Sequence, residues 1–318
     1  MLPSVSIIVP CYNGARYIPG LAHSLRPVLA SDPQRVELIF IDDGSGDDSS
    51  GLMRTLLPEA VMVRQANRGL SAARNAGVAL ARGEFLQLLD VDDTVEVEKL
   101  ARQVAAAGAA GADVVYSDWR LLTVDGGEVR TEVFAPAQAP SEMVEALLAG
   151  WYVPPVGYLF RRSAYQALGG CDETLKVWED FDLFLRCAMA GLRHAYVPGV
   201  LSTYYRYLDV HSLARRDPVG GALSRERILL KTLAALDQAN ELTSARRKAA
   251  ARALFAVLRT AGIGDGAWLR RIAARINALD PDFQPFGTTP YRALARAFGI
   301  VRAERLAIGL RAWSSAQT

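Results

Sequence analysis

Four short apolar runs, each followed at once by polar, turn-forming residues, constrain the fold more than any other feature of the chain. Val5-Ser6-Ile7-Ile8-Val9, Val36-Glu37-Leu38-Ile39-Phe40-Ile41, Val61-Met62-Val63 and Phe85-Leu86-Gln87-Leu88-Leu89 read as strands. Between the last two, Leu70, Ala73, Gly77 and Leu80 fall on one helical face. Strands separated by helices predict right-handed βαβ units, hence an α/β fold with a mostly parallel sheet flanked by helices. Ligands of such sheets sit beyond the carboxyl ends of the strands. Pro10-Cys11-Tyr12-Asn13 follows the first run, Asp42-Asp43-Gly44-Ser45 the second and Asp90-Val91-Asp92-Asp93 the fourth. Functional residues are expected there.

After Asp113 the pattern changes. Asp125-Gly126-Gly127, between Trp119–Val124 and Glu128–Val133, predicts a hairpin turn. Phe181 to Ala190 reads as a short amphipathic helix, followed by strand-like Ala195–Val197 and Ser202–Tyr207. Beyond about Pro218 the chain is rich in Ala, Leu and Arg and reads as all-helical. Trp268, Ile272, Ile276 and Leu279 form one apolar stripe, and Leu294, Phe298, Val301 and Ile308 another. Charge divides at the same place. Residues 221–318 hold 16 Arg/Lys against 7 Asp/Glu, a charge of +9, which leaves −7 for the rest of a chain of net charge +2. The expected organisation is a catalytic domain over 1–218, with halves 1–112 and 113–218, and a basic helical region over 219–318.

The acidic clusters carry the chemistry, and each admits a plainer reading. Asp90 and Asp92, two residues apart at a strand end, can face one hard divalent cation, Mg²⁺ or Mn²⁺, whose other oxygens come from a diphosphate and water. The same cluster fits a strand-ending turn, with Asp93 or Thr94 capping the next helix. Asp42-Asp43-Gly44-Ser45 fits a turn with Asp47 or Ser49 as the cap, or a carboxylate that accepts the imino N–H of a pyrimidine base. Arg74, in the run Asn67–Asn75, fits a nucleotide ligand or a solvated helix residue. Trp178-Glu179-Asp180 opens a helix, where the macrodipole alone favours acids. A single carboxylate there also suits a general base for an attacking hydroxyl.

Taken in order, these motifs are more specific than any one of them. Val5-to-Asn13, Ile41-to-Asp47, Asn67-to-Asn75, Gly83-Glu84-Phe85 leading to Leu89-to-Asp93, Arg161-Arg162, Leu168-to-Glu173, Glu179-Asp180 and Tyr205-Arg206 form one series over about two thirds of the chain. This series resembles the family 2 glycosyltransferases. The resemblance implies the A-type glycosyltransferase fold and a transferase that inverts anomeric configuration. It implies that a sugar moves from a nucleoside-diphosphate sugar to a saccharide or lipid-linked saccharide hydroxyl in polysaccharide, lipopolysaccharide or glycan assembly. Asp43 suits a UDP- or dTDP-linked donor, whose bases offer an N3–H, with GDP as the alternative. By the same resemblance Pro10 and Tyr12 would line the nucleotide pocket, Asp43 would bind the base and Arg74 the nucleotide. Asp90 would lie near ribose and metal, and Asp92 would ligate the cation. Asp180 would be the base, with Glu179 and Trp178 shaping the acceptor side. Many members place a His directly after the Tyr-Arg pair. Here Tyr207-Leu208-Asp209-Val210 intervenes before His211, a weaker candidate for a third ligand.

Other classes fit less well. A nucleotidyltransferase would open with a Gly-rich basic loop, and a dinucleotide-binding oxidoreductase with G-x-G-x-x-G; the first turn has neither. A non-catalytic nucleotide-sugar-binding homologue would be free to lose Asp43, Asp92 or Asp180, and all three are present. Three cysteines without metal-type spacing, and no secretory leader, fit a cytoplasmic protein. The uncharged stretch 146–160 is too short, and too broken by Pro154-Pro155, to span a bilayer. The helical tail is expected to pack on the catalytic domain or a second subunit, or to lie peripherally on the anionic inner face of the membrane. No aromatic-interleaved basic strip points to nucleic acid.

Overall fold

The first run becomes β1 (Val5–Cys11), buried along its whole length because it pairs on both edges. The computed structural model describes residues 4–31, 35–136, 140, 142–209, 217–260 and 265–315. β2 (Val36–Asp42) and β4 (Phe85–Leu88) flank β1 in parallel, with Val5 opposite Val36 on one side and Phe85 on the other, and β3 (Val61–Arg64) adds outside β2. α1 (Ile18–Ser31), α2 (Ser49–Leu56) and α3 (Leu70–Leu80) are the crossovers. Gly77 lets α3 lie close on β1, since a Cβ there would fall 2.4 Å from Ile8 Cγ2.

The following strands extend the same sheet with mixed direction. They are β5 (Thr94–Val95), β6 (Val114–Asp125), β7 (Glu128–Phe134), β8 (Tyr158–Arg161) and β9 (His194–Tyr207). The order is β3-β2-β1-β4-β8-β6-β9-β5, with β7 paired to β6. Gly126 and Gly127, at φ +54 and +97°, form the two-residue turn between Asp125 and Glu128, as expected. The two expected strands 195–197 and 202–207 are one long strand, β9, which follows β6 through a bulge near Asp118. Asp93 and Thr94 cap no helix: Thr94-Val95 pairs with β9, and α4 (Lys99–Ala110) starts later. The buried Lys99 Nζ donates to Gln87 Oε1, to Gln103 Oε1 at 2.6 Å and to the Tyr158 carbonyl at 3.2 Å. α6 (Arg162–Ala167) and α7 (Glu179–Met189) complete this part.

The chain divides into two compact units, Met1–Ser141 with Tyr152–Ser212, and Glu142–Trp151 with Leu213–Thr318. The second unit therefore takes in 142–151, which the sequence pattern groups with the strands. The reason is local: α5 (Met143–Leu148) sits in the helical unit, where Arg246 pairs with Glu142 and Glu145 at 3.6 and 3.8 Å. That unit holds α8 (Pro218–Gln238), α9 (Ser244–Thr260), α10 (Gly266–Leu279), α11 (Thr289–Phe298) and α12 (Ile300–Ser315). On α10, Trp268, Ile272 and Ile276 are buried. The second expected stripe does not exist as one face. Gly299, at φ +81°, separates α11 from α12, so Phe298 is 56% exposed while Tyr291, Ala295 and Ala303 are buried instead. Among the described residues no helix is long and apolar enough to cross a membrane.

Candidate active site

The loops that leave β1, β2 and β4 lie at the carboxyl edge of the parallel strands, and the first two bond to one another. The Asn13 N–H donates to Ser45 Oγ at 2.9 Å, and the Gly46 N–H to Asn13 Oδ1 at 2.7 Å. The Gly14 N–H donates to Ser49 Oγ at 3.0 Å, and the Ala15 N–H to Asp47 Oδ2 at 3.0 Å. The other oxygen of Asp47 takes the Ser49 N–H in a two-residue turn; the N-cap of α2 is Asp48, without a side-chain cap bond, so neither Asp47 nor Ser49 caps the helix. Pro10 is buried in β1 opposite Ile41. Tyr12, just past the strand, is 53% exposed with its ring in solvent.

Asp43 is only 3% exposed. Its Oδ1 accepts from Gln65 Nε2 at 2.8 Å and the Arg68 N–H at 2.9 Å, and its Oδ2 accepts from the Gly69 N–H at 2.8 Å. A carboxylate offers about four acceptor positions. One remains on Oδ2 for a ligand.

Arg74 decides the geometry of the centre. It is 1% exposed, so it is not a solvated helix residue. Its Nη2 donates to Asp90 Oδ1 at 2.7 Å and its Nη1 to Glu179 Oε1 at 2.8 Å. Burial works against its charge, but Asp90 and Glu179 outweigh burial and hold its pKa well above the usual value. The guanidinium thus ties the end of β4 to the start of α7. Asp92 is pushed up to about 7 by burial and by the neighbouring Asp90. Asp93 is buried beside them. Its Oδ1 takes the Tyr205 N–H at 2.9 Å, its Oδ2 has no hydrogen-bond partner among the described residues, and burial with Asp92 and Asp90 raises its pKa.

At the start of α7, Trp178 holds a left-handed conformation, φ +66°, with its ring edge-on to Phe181. The next residue, Glu179, begins the helix two positions earlier than the sequence pattern places it, and burial raises its pKa to about 7. Asp180 Oδ1 accepts the Phe181 N–H at 2.7 Å, and Oδ2 accepts Tyr152 Oη at 3.1 Å. Burial raises the Asp180 pKa as well. Asn75 on α3 bonds the Cys171 backbone both ways at 2.9 Å and donates to Glu173 at 3.0 Å, so the Asn67–Asn75 and Leu168–Glu173 motifs are two halves of one contact.

Among the described residues no group of three or more His, Cys, Asp or Glu side chains stands ready to hold a metal ion. His211 lies outside the described residues. Sequence reasoning missed Tyr152, because no motif marks it. It also missed Arg16, whose guanidinium lies over the rings of Tyr17 and Tyr207 at 4.7 and 5.0 Å, reaches Asp209 at 3.4 Å and lowers the Asp92 pKa.

Comparison with known proteins adds three findings. The family model described as Glycosyl transferase family 2 matches residues 6–169, slightly more than half of the chain. The succinoglycan biosynthesis protein ExoO of Rhizobium meliloti is 28% identical over 247 residues, 73% of this chain and 70% of that protein. The uncharacterized glycosyltransferase EpsJ of Bacillus subtilis is 31% identical over 197 residues, 57% of this chain and 54% of its own length. Among solved structures, S. aureus TarS 1-349 in complex with UDP-GlcNAc superposes with a TM-score of 0.68 at 20% identity, covering 98% of this chain and 92% of that one.

Proposed function

The chain belongs to glycosyl transferase family 2 and has the A-type glycosyltransferase fold, and from that premise we propose that it is an inverting transferase that moves a sugar from a UDP- or dTDP-sugar to an acceptor hydroxyl in polysaccharide assembly. The observation that carries this reading is the buried Arg74 bridge. It holds Asp90, on the donor side, and Glu179, next to Asp180, on one guanidinium. A base and a donor site fixed to the same group are what a direct displacement needs.

Each residue then has a role. Tyr12 stacks on the base, Pro10 shapes the pocket floor, and Asp43 uses its remaining acceptor position for the N3–H that uracil and thymine share. Asp180 takes the proton of the acceptor hydroxyl as that oxygen bonds to the anomeric carbon. The bond from the anomeric carbon to the diphosphate breaks, and its electron pair leaves on the nucleoside diphosphate. Trp178 shapes the acceptor side. Tyr152 orients the Asp180 carboxyl.

The acidic pair fits a divalent cation on its own chemistry. Burial and the neighbouring Asp90 make Asp92 costly to ionise, a cost that a cation would offset, and Asp90 keeps one oxygen clear of Arg74. Asp92 and Asp90 would hold Mg²⁺ or Mn²⁺, with further oxygens from the diphosphate and water. Bound there, the cation would supply Lewis-acid stabilisation of the leaving diphosphate. The UDP-GlcNAc bound to TarS supports a uridine donor, and the name of ExoO supports polysaccharide biosynthesis. The setting we propose is the cytoplasmic face of the membrane, with a saccharide or lipid-linked saccharide as acceptor.

A thermal-shift panel of nucleoside diphosphates with and without Mn²⁺ tests the donor assignment. UDP or dTDP with Mn²⁺ should raise the melting temperature, since a ligand that binds only the folded state stabilises it. No shift with any nucleotide would count against it.

A further inference from the structure

A cleft of about 710 Å³ opens in the helical unit between α10, the 283–285 turn and the junction of α11 with α12. Arg270, Arg296, Arg302 and Arg305 line it, and no acidic side chain does. All four are exposed, and none makes a hydrogen bond or ion pair among the described residues. Two converge on one point: the Cβ position built on Gly266 lies 3.4 Å from Arg270 Nη1 and 3.9 Å from Arg305 Nη1. The one acid on α11 and α12 faces elsewhere. Glu304 is the single Asp or Glu from Thr289 to Ser315. It is 0% exposed, and Arg259 Nη1 donates to it at 2.8 Å. Arg259 in turn lies 3.8 Å from the centre of the Tyr291 ring. The fold thus gathers four like charges around one cavity whose lining holds no acid. Such an arrangement is completed by an anion from outside, and guanidinium forks match phosphoryl oxygens.

The surroundings narrow the ligand. Phe283 and Val301 give the cleft an apolar lining, and Phe298, on its rim, is 56% exposed. On α12, Leu306 and Leu310 follow Arg302 at intervals of four and are 53% and 65% exposed. A soluble phosphate gains nothing from these side chains, whereas a phosphoryl group carried on a hydrocarbon chain does. We propose that this cleft binds the phosphoryl headgroup of an anionic membrane lipid, with Phe298, Leu306 and Leu310 meeting the lipid surface. The cleft belongs to the helical unit and the proposal stands or falls independently of glycosyl transfer.

The test uses the full chain and vesicles of phosphatidylcholine, alone or mixed with phosphatidylglycerol or phosphatidic acid. Co-sedimentation should occur with the two anionic mixtures and not with neutral vesicles. Changing Arg270, Arg296, Arg302 and Arg305 to Gln together should lower the partition coefficient at least ~10-fold, given ~1 kcal/mol for each basic residue near such a surface. A control with Arg227, Lys231, Lys248 and Arg275 changed to Gln has the same net charge and should lose less than ~3-fold. If the fourfold cleft variant melts early, Arg296→Gln with Arg302→Gln should shift partition in the same direction while melting like the wild type. Equal loss in both fourfold variants would assign binding to diffuse charge and overturn the proposal. So would absence of vesicle binding, or full displacement from vesicles by inorganic pyrophosphate, which would make the ligand a soluble anion.

Discussion

At Asp92 the proposed metal role and folding make opposite demands. A carboxyl that belongs with a cation is costly to ionise without one, and burial beside Asp90 raises its pKa from 3.8 to about 7. Between those values the folded chain keeps a proton that the unfolded chain releases, so this group's contribution to stability falls as pH rises and is lost above about 7. Asp92→Asn should therefore melt higher than the wild type at pH 8 in the presence of chelator, and the gain should vanish near pH 4. A wild-type melting temperature at both pH values would show that the Asp92 charge is compensated without a cation. Asp43, Asp90 and Asp92 could be singled out as candidates in the sequence because each stands at a strand end. Arg74 was found by its motif, but sequence left it between a ligand and a solvated residue. Only three-dimensional packing reveals that two carboxylates claim it. Tyr152 left no trace, because a hydrogen bond across 28 residues has no spacing to read.

Among elements, the centre depends on how α3, the end of β4 and the start of α7 are joined. Arg74→Met would leave Asp90 and Glu179 without their shared partner, and breaking a buried pair in this way costs ~3–5 kcal/mol. Denaturant unfolding should record that loss, and adding Glu179→Gln should recover part of it by removing one stranded charge. If Asp180 is the base, held beside Glu179 by Arg74, turnover at saturating donor should fall more than donor affinity in variants that remain folded. A purely structural role would leave the turnover of folded molecules unchanged. Asn75→Ala breaks the second joint, its bonds to Cys171 and Glu173, and should cost ~1–3 kcal/mol. Strand and helix order through Leu89 was legible because parallel strands, buried in β1 and β4 and at the sheet edge in β3, are continuous apolar runs. The α11–α12 stripe misled because four apolar residues at helical spacing mask a break at Gly299. The position of 142–151 was equally hidden, since an insertion's partner is set by contacts such as Glu145 with Arg246, far away in sequence.

For the whole molecule, the asymmetry of charge is the feature that composition announced and the structure sharpened. The acidic clusters lie at the carboxyl edge of the sheet, while the basic helices leave four arginines around one cleft. Composition could give the sign of the tail but not the cleft, which arises only where α10 meets the α11–α12 junction. If a divalent cation completes the donor site, excess EDTA should abolish sugar transfer and Mn²⁺ should restore it. Transfer at full rate without bound metal would remove Asp92 and Asp90 from that role. The central claim is that Asp180 activates an acceptor hydroxyl against a nucleoside-diphosphate sugar. Release of nucleoside diphosphate tests it without knowledge of the natural acceptor, because water can take the acceptor's place. With Mn²⁺ and a panel of UDP- and dTDP-sugars, the wild type should release nucleotide from at least one donor. Asp180→Asn should do so ~10²–10⁴-fold more slowly while binding that donor equally well. Release by Asp180→Asn at the wild-type rate would contradict the claim.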